Sequence, residues 1–164
     1  MSQWLAAPHV ARWWRQASDR TSVAAEFGPV VDGSGPTEGF VVELDGGPIG
    51  FIQRYRLSSY PEWARELTHI APESAVGLDY LIGVEGLTGH GLGPQIIDHL
   101  VEDTWCRYPD VEAIVVDVLQ ENRPSWRALE KAHFDRAWSG ILDSDDPSDD
   151  GPCYVYLRRR PNPR

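Results

Sequence analysis

Glycines at three alternate positions, Gly89, Gly91 and Gly93, interrupt the chain just before a helix-patterned run that begins Pro94-Gln-Ile-Ile-Asp-His-Leu-Val. A loop so poor in β-carbons can turn successive backbone N–H groups toward one anion, and the helix that follows adds the positive end of its dipole. The stretch Thr88-Gly89-His90-Gly91-Leu92-Gly93 therefore reads as a cradle for a diphosphate. Pro94 suits the scheme, because a proline in the first helical turn gives up only an N–H that would lack a partner anyway. The spacing is G-x-G-x-G, which excludes the G-x-G-x-x-G of dinucleotide-binding folds, and no lysine stands where a nucleoside-triphosphate loop requires one. A flexible turn between strand and helix is the plain alternative, so the rest of the chain has to discriminate.

With 164 residues, 41% of them hydrophobic and 24% charged, the chain reads as one domain over residues 1–164 that buries its own core. Its apolar runs fall far short of the ~20 residues that cross a bilayer, and the amino terminus lacks a basic-then-apolar signal pattern, so a cytoplasmic protein with no membrane partner is expected. The formal net charge of −10 argues against nucleic acid, whose binders carry basic patches. The same charge would attract a polycationic small molecule into a carboxylate-lined cleft. Cys106 and Cys153 form no C-x-x-C pair and have no histidine at ligand spacing, so no metal is implied.

Along the chain, Trp4 to Gln16 has the spacing of one amphipathic helix, and Thr21 to Gly39 is a second, poorly defined segment ending in a loop. Phe40 to Leu44, the turn Asp45-Gly46-Gly47 and Pro48 to Tyr55 form a hairpin. Tyr60 to Pro72 reads as a short helix or lid-like loop. Val76 to Val84 is a strand that runs into the glycine turn and a helix from Pro94 to Arg107. Ala113 to Leu119 is a further strand, Pro124 to Ala132 a helix, and Phe134 to Leu142 with Cys153 to Arg158 a strand pair. Asp143 to Asp150 between them is most simply a solvated acidic turn, with a run that faces a cationic ligand as the alternative. Residues 158–164 are expected to fray. This order predicts an α+β (α/β/α layered) fold, with helices flanking a central mixed, mostly antiparallel sheet.

Strand, glycine turn, long helix, strand, then Asn122 and a helix ending Leu129-Glu-Lys-Ala-His-Phe134 resembles the GNAT superfamily of N-acetyltransferases. The family's Q/R-x-x-G-x-G/A loop, which binds the pyrophosphate of acetyl-CoA, is matched at Thr88, Gly91 and Gly93. Its N-x-x-A-x-x-x-Y-E-K-x-G-F signature is matched at Asn122, Glu130, Lys131 and Phe134. Gly77-Leu-Asp79-Tyr-Leu-Ile-Gly83, Gly47-Pro-Ile-Gly-Phe-Ile-Gln53, the amino-terminal Trp4-Leu, His9-Val and Trp13-Trp14, and Asp117 ahead of Asn122 are similar to the aminoglycoside 6'-N-acetyltransferases and their relatives, among them siderophore-lysine acyltransferases. The likeness runs from Trp4 to about Tyr156. Three features depart from it: no strand is apparent ahead of Trp4, Thr88 replaces the Gln/Arg of the loop, and Leu129 and His133 stand where the family has its tyrosine and glycine. A sheet left without its first strand has an edge that a partner can cover, and monomer and homodimer both stay open.

The resemblance implies acetyl-CoA as co-substrate, held by Thr88, Gly89, His90, Gly91, Leu92, Gly93 and Asn122. It implies Asp79 and Asp117 as catalytic carboxylates that also bind the amine, with Trp63, Glu62 and Glu66 walling the acceptor site. The residues themselves support this for Asp79, which interrupts an apolar strand where an unpaired charge costs several kcal/mol unless solvent or a cation reaches it. By alternation it shares a face with Gly77, Leu81 and Gly83; an aspartate bonded to backbone at a bulge is the alternative. Asp117 sits as oddly between Val116 and Val118. Asn122 reads equally as a helix cap. With Leu129 in place of tyrosine, Tyr80 or a water is left to protonate the leaving thiolate. The function implied is acetylation of a primary amine on a polycation, the 6'-amine of an aminoglycoside, in antibiotic resistance. The alternatives are acylation of a siderophore or lysine derivative and a non-catalytic acyl-CoA-binding module.

Overall fold

Proline and glycine punctuate residues 1–161, the residues described by the computed structural model, into six helices and six strands. Helices α1 (Ser2–Ala6) and α2 (Pro8–Trp14) replace the single helix expected over Trp4 to Gln16. Pro8 explains the break: it forces Ala7 into an extended conformation and opens α2 at that helix's first position. Helix α3 (Arg20–Asp32) orders the segment left undefined by its sequence; Asp19 accepts from the N–H groups of Thr21 and Ser22, and Gly33 closes the helix at φ 71°. Strands β1 (Thr37–Leu44) and β2 (Gly47–Arg56) form the expected hairpin. Asp45 and Gly46 turn it with φ of 51° and 77°, the mirror-image turn whose twist matches that of paired strands.

The remaining elements are α4 (Pro61–Leu67), β3 (Val76–Ile82), α5 (Leu92–Arg107), β4 (Ala113–Leu119), α6 (Arg123–Lys131), β5 (Asp135–Gly140) and β6 (Cys153–Arg159). They complete a six-stranded sheet in the order β1-β2-β3-β4-β6-β5, in which only β3 and β4 run parallel. Alternation divides the strands between two faces. Ile52, Leu78, Val116 and Val118 pack under α5 and α6. The opposite face buries Phe51 and Leu81 against α1, α2 and α3, and Val115, Val155 and Leu157 against α4. The expected layered α+β architecture is present.

Two features of the sheet position the site. Strands β3 and β4 pair only at Val76 with Ile114 and Gly77 with Val115, and beyond that they diverge. The same register carried two residues further would set Asp79 opposite Asp117, so the two carboxylates face each other across an opening in the sheet. The second feature is the pair of glycines in and after β3. A β-carbon on Gly77 would lie 2.4 Å from the Tyr55 ring, and one on Gly83 would lie 2.1 Å from the Trp4 indole. Each glycine makes room for an aromatic ring laid across the strand. Gly77→Ala is therefore expected to destabilise the fold by about 1–3 kcal/mol through overpacking, read as a lower Tm; an unchanged melt would mean that Tyr55 swings away freely.

The carboxyl-terminal segment is better anchored than expected. Arg158 and Arg159 complete β6, and Arg160 donates to the carbonyls of Val111, Trp105 and Tyr108. Fraying is thus absent from Arg158–Arg160, and residues 162–164 lie outside the described residues. Arg54 gave no warning in the sequence: it is 1% exposed, bonded to Glu38, Asp103 and Thr104, and unites β1, β2 and α5.

Candidate active site

The glycine turn adopts the conformation its composition permits. Gly89 and Gly91 have φ of 77° and 82°, a region that residues with a β-carbon enter only at a cost. Gly91 is the N-cap of α5 and has no side chain to satisfy the first turn. Thr88 Oγ1 is spent on Glu85 O at 2.8 Å, and His90 Nδ1 lies 2.8 Å from Thr88 O. Among the described residues, the backbone N–H groups of Gly89, His90 and Gly91 donate to no protein acceptor. Those of Leu92 and Gly93 fall in the helical turn that has no internal partner. A β-carbon on Gly93 would lie 3.3 Å from Ala128 Cβ, so this glycine lets α5 and α6 approach closely. The result is an exposed row of donors without protein acceptors at the positive end of a 16-residue helix.

The strands on either side of the opening, β3 and β4, line a cleft of about 1020 Å³, and none of Thr88 to Gly93 is among its lining residues. Asp79, Asp117 and Asn122 line it, together with Trp63, Glu62 and Glu66 of α4, so every expected acceptor-site residue borders one space. Asn122 also caps α6, its Oδ1 accepting from the Ser125 N–H at 3.4 Å; the capping role is real, and the side-chain amide still borders the cleft. Leu129 is fully buried under the sheet and does not line the cleft. Tyr80 does, with its hydroxyl 2.7 Å from Ser125 Oγ and 3.1 Å from Ser125 O. Loss of water around Tyr80 pushes its phenol well above the ordinary value, so it stays protonated as a donor.

The carboxylates form a coupled cluster. Burial pushes Asp79 up from 3.8 to about 6, offset in part by Gln53 Nε2, which donates to Asp79 Oδ2 at 2.9 Å; the charges of Asp149 and Asp146 raise it further. Gln53 reaches Asp79 because the two are register partners on β2 and β3. Asp117 is pushed well up by burial, and then by the charges of Asp149 and Asp79. Asp149 is raised too, chiefly by burial, against a bond of 2.6 Å from Ser144 Oγ. Asp117 and Asp149 stand close enough for the charge of Asp149 to help push Asp117 up.

Asp149 belongs to the run Asp143–Asp150, which keeps Asp143, Asp145 and Asp150 exposed to solvent yet also borders the cleft. The run folds over the cleft, with Asp143, Asp145, Asp146 and Asp149 among its lining residues, and Asp143 N–H donates to Glu66 Oε2 at 3.2 Å. Adding Glu26 brings the carboxylates on the cleft wall to nine, against the single cation Arg65. Trp13, Trp14, Tyr55 and Tyr60 complete an aromatic rim. Nothing in the sequence flags Gln53, Tyr55 or Asp149 individually, since their place depends on strand register and on the path of a loop. Among the described residues no group of histidine, cysteine and acidic side chains could hold a metal ion, and no helix is long and apolar enough to cross a membrane.

The acetyltransferase (GNAT) domain family matches residues 1–139. No curated protein sequence matches the chain. Among solved structures, aminoglycoside acetyltransferase AAC(6')-Ib in complex with coenzyme A is 27% identical and superposes with a TM-score of 0.80, over 97% of this chain and 87% of that one. The same enzyme with coenzyme A and kanamycin gives 28% identity and a TM-score of 0.79 over the same shares. An aminoglycoside N(6')-acetyltransferase from Legionella pneumophila, at 17% identity and a TM-score of 0.63, covers 94% of this chain and 81% of its own and shares the fold. A row of unpaired main-chain donors, a split sheet and a match over most of the chain converge, and the protein belongs to the GNAT family of acetyltransferases.

Proposed function

We propose that the protein transfers an acetyl group from acetyl-CoA to a primary amine of a polycationic small molecule, the 6'-amine of an aminoglycoside. The observation that carries this reading is the cleft wall, where nine carboxylates face one arginine. Such a wall concentrates and orients a ligand with several ammonium groups. The solved relatives bound to coenzyme A and to kanamycin support both halves of the proposal.

In this reading the N–H groups of Gly89 to Gly93 hold the diphosphate of the coenzyme, and Asn122 bonds its amide-bearing arm within the opening between β3 and β4. Asp79 and Asp117 bind the reacting ammonium, with Trp63, Glu62 and Glu66 along the acceptor's flank. Asp79 takes one proton from the ammonium, directly or through water, and the neutral amine attacks the thioester carbonyl. A C–N bond forms and the C–S bond breaks. The acylated nitrogen then loses its second proton, through water, to the departing thiolate, whose ordinary pKa is about 8.5, while the Tyr80 hydroxyl, which stays protonated, donates only a hydrogen bond. Direct attack needs no enzyme nucleophile, and Cys106 has no role.

A base pushed up to about 6 gives a testable pH profile. Asp79 works ionised, so kcat/KM for the amine is expected to be flat above pH 6 and to fall about tenfold per unit below it. A profile without an acid limb near 6 removes Asp79 as the base. Substrate class is tested by thiol release from acetyl-CoA with kanamycin-type aminoglycosides, linear polyamines and lysine derivatives. The proposal expects saturable turnover of aminoglycosides. Turnover confined to a hydroxylysine derivative overturns the substrate, and coenzyme binding without any product favours an acyl-CoA sensor.

A further inference from the structure

The eight residues Asp143–Asp150 carry five aspartates. Like charges at this density repel one another and favour a loop extended into solvent. Instead the run folds back as a 3-10 turn, Pro147–Asp149, against the end of α2. Arg15 Nη1 donates to Pro147 O at 3.2 Å and to Asp150 O at 3.0 Å, bracketing the turn from both ends. Ser148 Oγ donates to Trp14 O, and Gln16 Nε2 donates to Asp146 Oδ2 at 3.5 Å. Three consecutive residues, Trp14 to Gln16, thus grip a loop more than a hundred positions away.

Arg15 does this from a left-handed backbone, φ 43° and ψ 23°, which glycine or asparagine adopts with less strain. A strained residue whose side chain makes the tethering contacts argues for a role of that side chain. Its partners matter too. Arg15 bonds main-chain carbonyls, and among the described residues it forms no ion pair. The cation therefore fixes the loop without neutralising the aspartates, and their charge stays available along the cleft.

We infer that Arg15 is a positioning residue for the amine substrate: through the main chain of Pro147–Asp150 it holds Asp149 opposite Asp117 and keeps the acidic loop as one wall of the cleft. This rests on the polycationic-amine reading above. It assigns the amino-terminal helices a part in acceptor affinity, separate from the coenzyme turn on α5.

Arg15→Gly is the informative variant, because glycine keeps the left-handed backbone without strain and removes the side chain that makes the tethering contacts. Kinetics with kanamycin and acetyl-CoA, calorimetry with coenzyme A, and hydrogen–deuterium exchange over residues 143–150 are compared with the wild type. The expected result is a kanamycin KM raised about fivefold or more, kcat within about twofold, unchanged coenzyme affinity and faster exchange in the loop. Arg15→Lys is expected to recover part of the KM. A KM within about twofold of wild type, or a loop whose exchange is unchanged, overturns the inference. If the wild type acetylates no amine at all, the substrate reading fails, and the exchange comparison alone decides whether Arg15 holds the loop.

Discussion

Replacing Asp79 with asparagine is expected to lower kcat/KM for the amine at least about tenfold, a barrier rise of ~1.4 kcal/mol, while raising thermal stability at neutral pH. Both effects come from one cause. Asp79 is a half-buried carboxylate in an otherwise apolar strand, lifted from 3.8 to about 6 by loss of water and by the charges of Asp149 and Asp146. Between those two values the folded protein binds more protons than the unfolded chain, so stability falls as pH rises through the window and stays lower above it. An amide carries no such penalty and still accepts the hydrogen bond from Gln53. A gain of roughly 1–3 kcal/mol is therefore expected for Asp79→Asn at pH 7 to 8, vanishing near pH 4. Melting curves across pH and steady-state kinetics read the two halves separately. A variant that is slower but no more stable at pH 8 would mean that Asp79 is better solvated than its surroundings indicate.

Gly91→Val is the second large effect. Gly91 sits at φ 82°, and a β-carbon there would meet nothing within 4 Å, so the change acts on backbone conformation and not on packing. A valine at this φ is strained by more than the ~1–2 kcal/mol of an ordinary side chain. The turn is expected to relax and to swing the N–H groups of His90 and Gly91 away from a common focus. Coenzyme affinity should fall at least about tenfold, ~1.4 kcal/mol, with little change in Tm because the turn is exposed. Gly86→Ala is the control: that glycine also faces open space but has an ordinary φ, so coenzyme affinity should be unaltered. Equal affinity in Gly91→Val and wild type would detach the turn from coenzyme binding.

The contrast between Gly91 and Asp149 illustrates what a chain of this kind reveals before it folds. Alternate glycines followed by proline and a helical pattern are a local signal, and the local conformation followed. Asp79 and Asp117 were legible for a similar reason, since a charge inside an apolar strand is anomalous wherever the strand lies. Their meeting across a split sheet was not, because it depends on where β3 and β4 cease to pair. Pro8 did announce a boundary, yet the aromatic spacing of Trp4 to Trp14 concealed it, as periodicity outweighed a single breaker. The acidic run misled most: solvation explains such composition well, and only the long-range contacts of Arg15, Ser148 and Glu66 turn it into a wall of the cleft.

Calorimetric titration of the wild type and Gly91→Val with coenzyme A, set against pantetheine, which has the same thiol arm but neither the diphosphate nor the 3'-phosphoadenosine, tests the grip of the Gly89–Gly93 turn most directly. The account predicts saturable binding of coenzyme A by the wild type, with affinity weaker by at least about tenfold for pantetheine and, for coenzyme A, in Gly91→Val. Equal affinity for the two ligands, equal affinity in the two proteins, or no heat with coenzyme A, would contradict it.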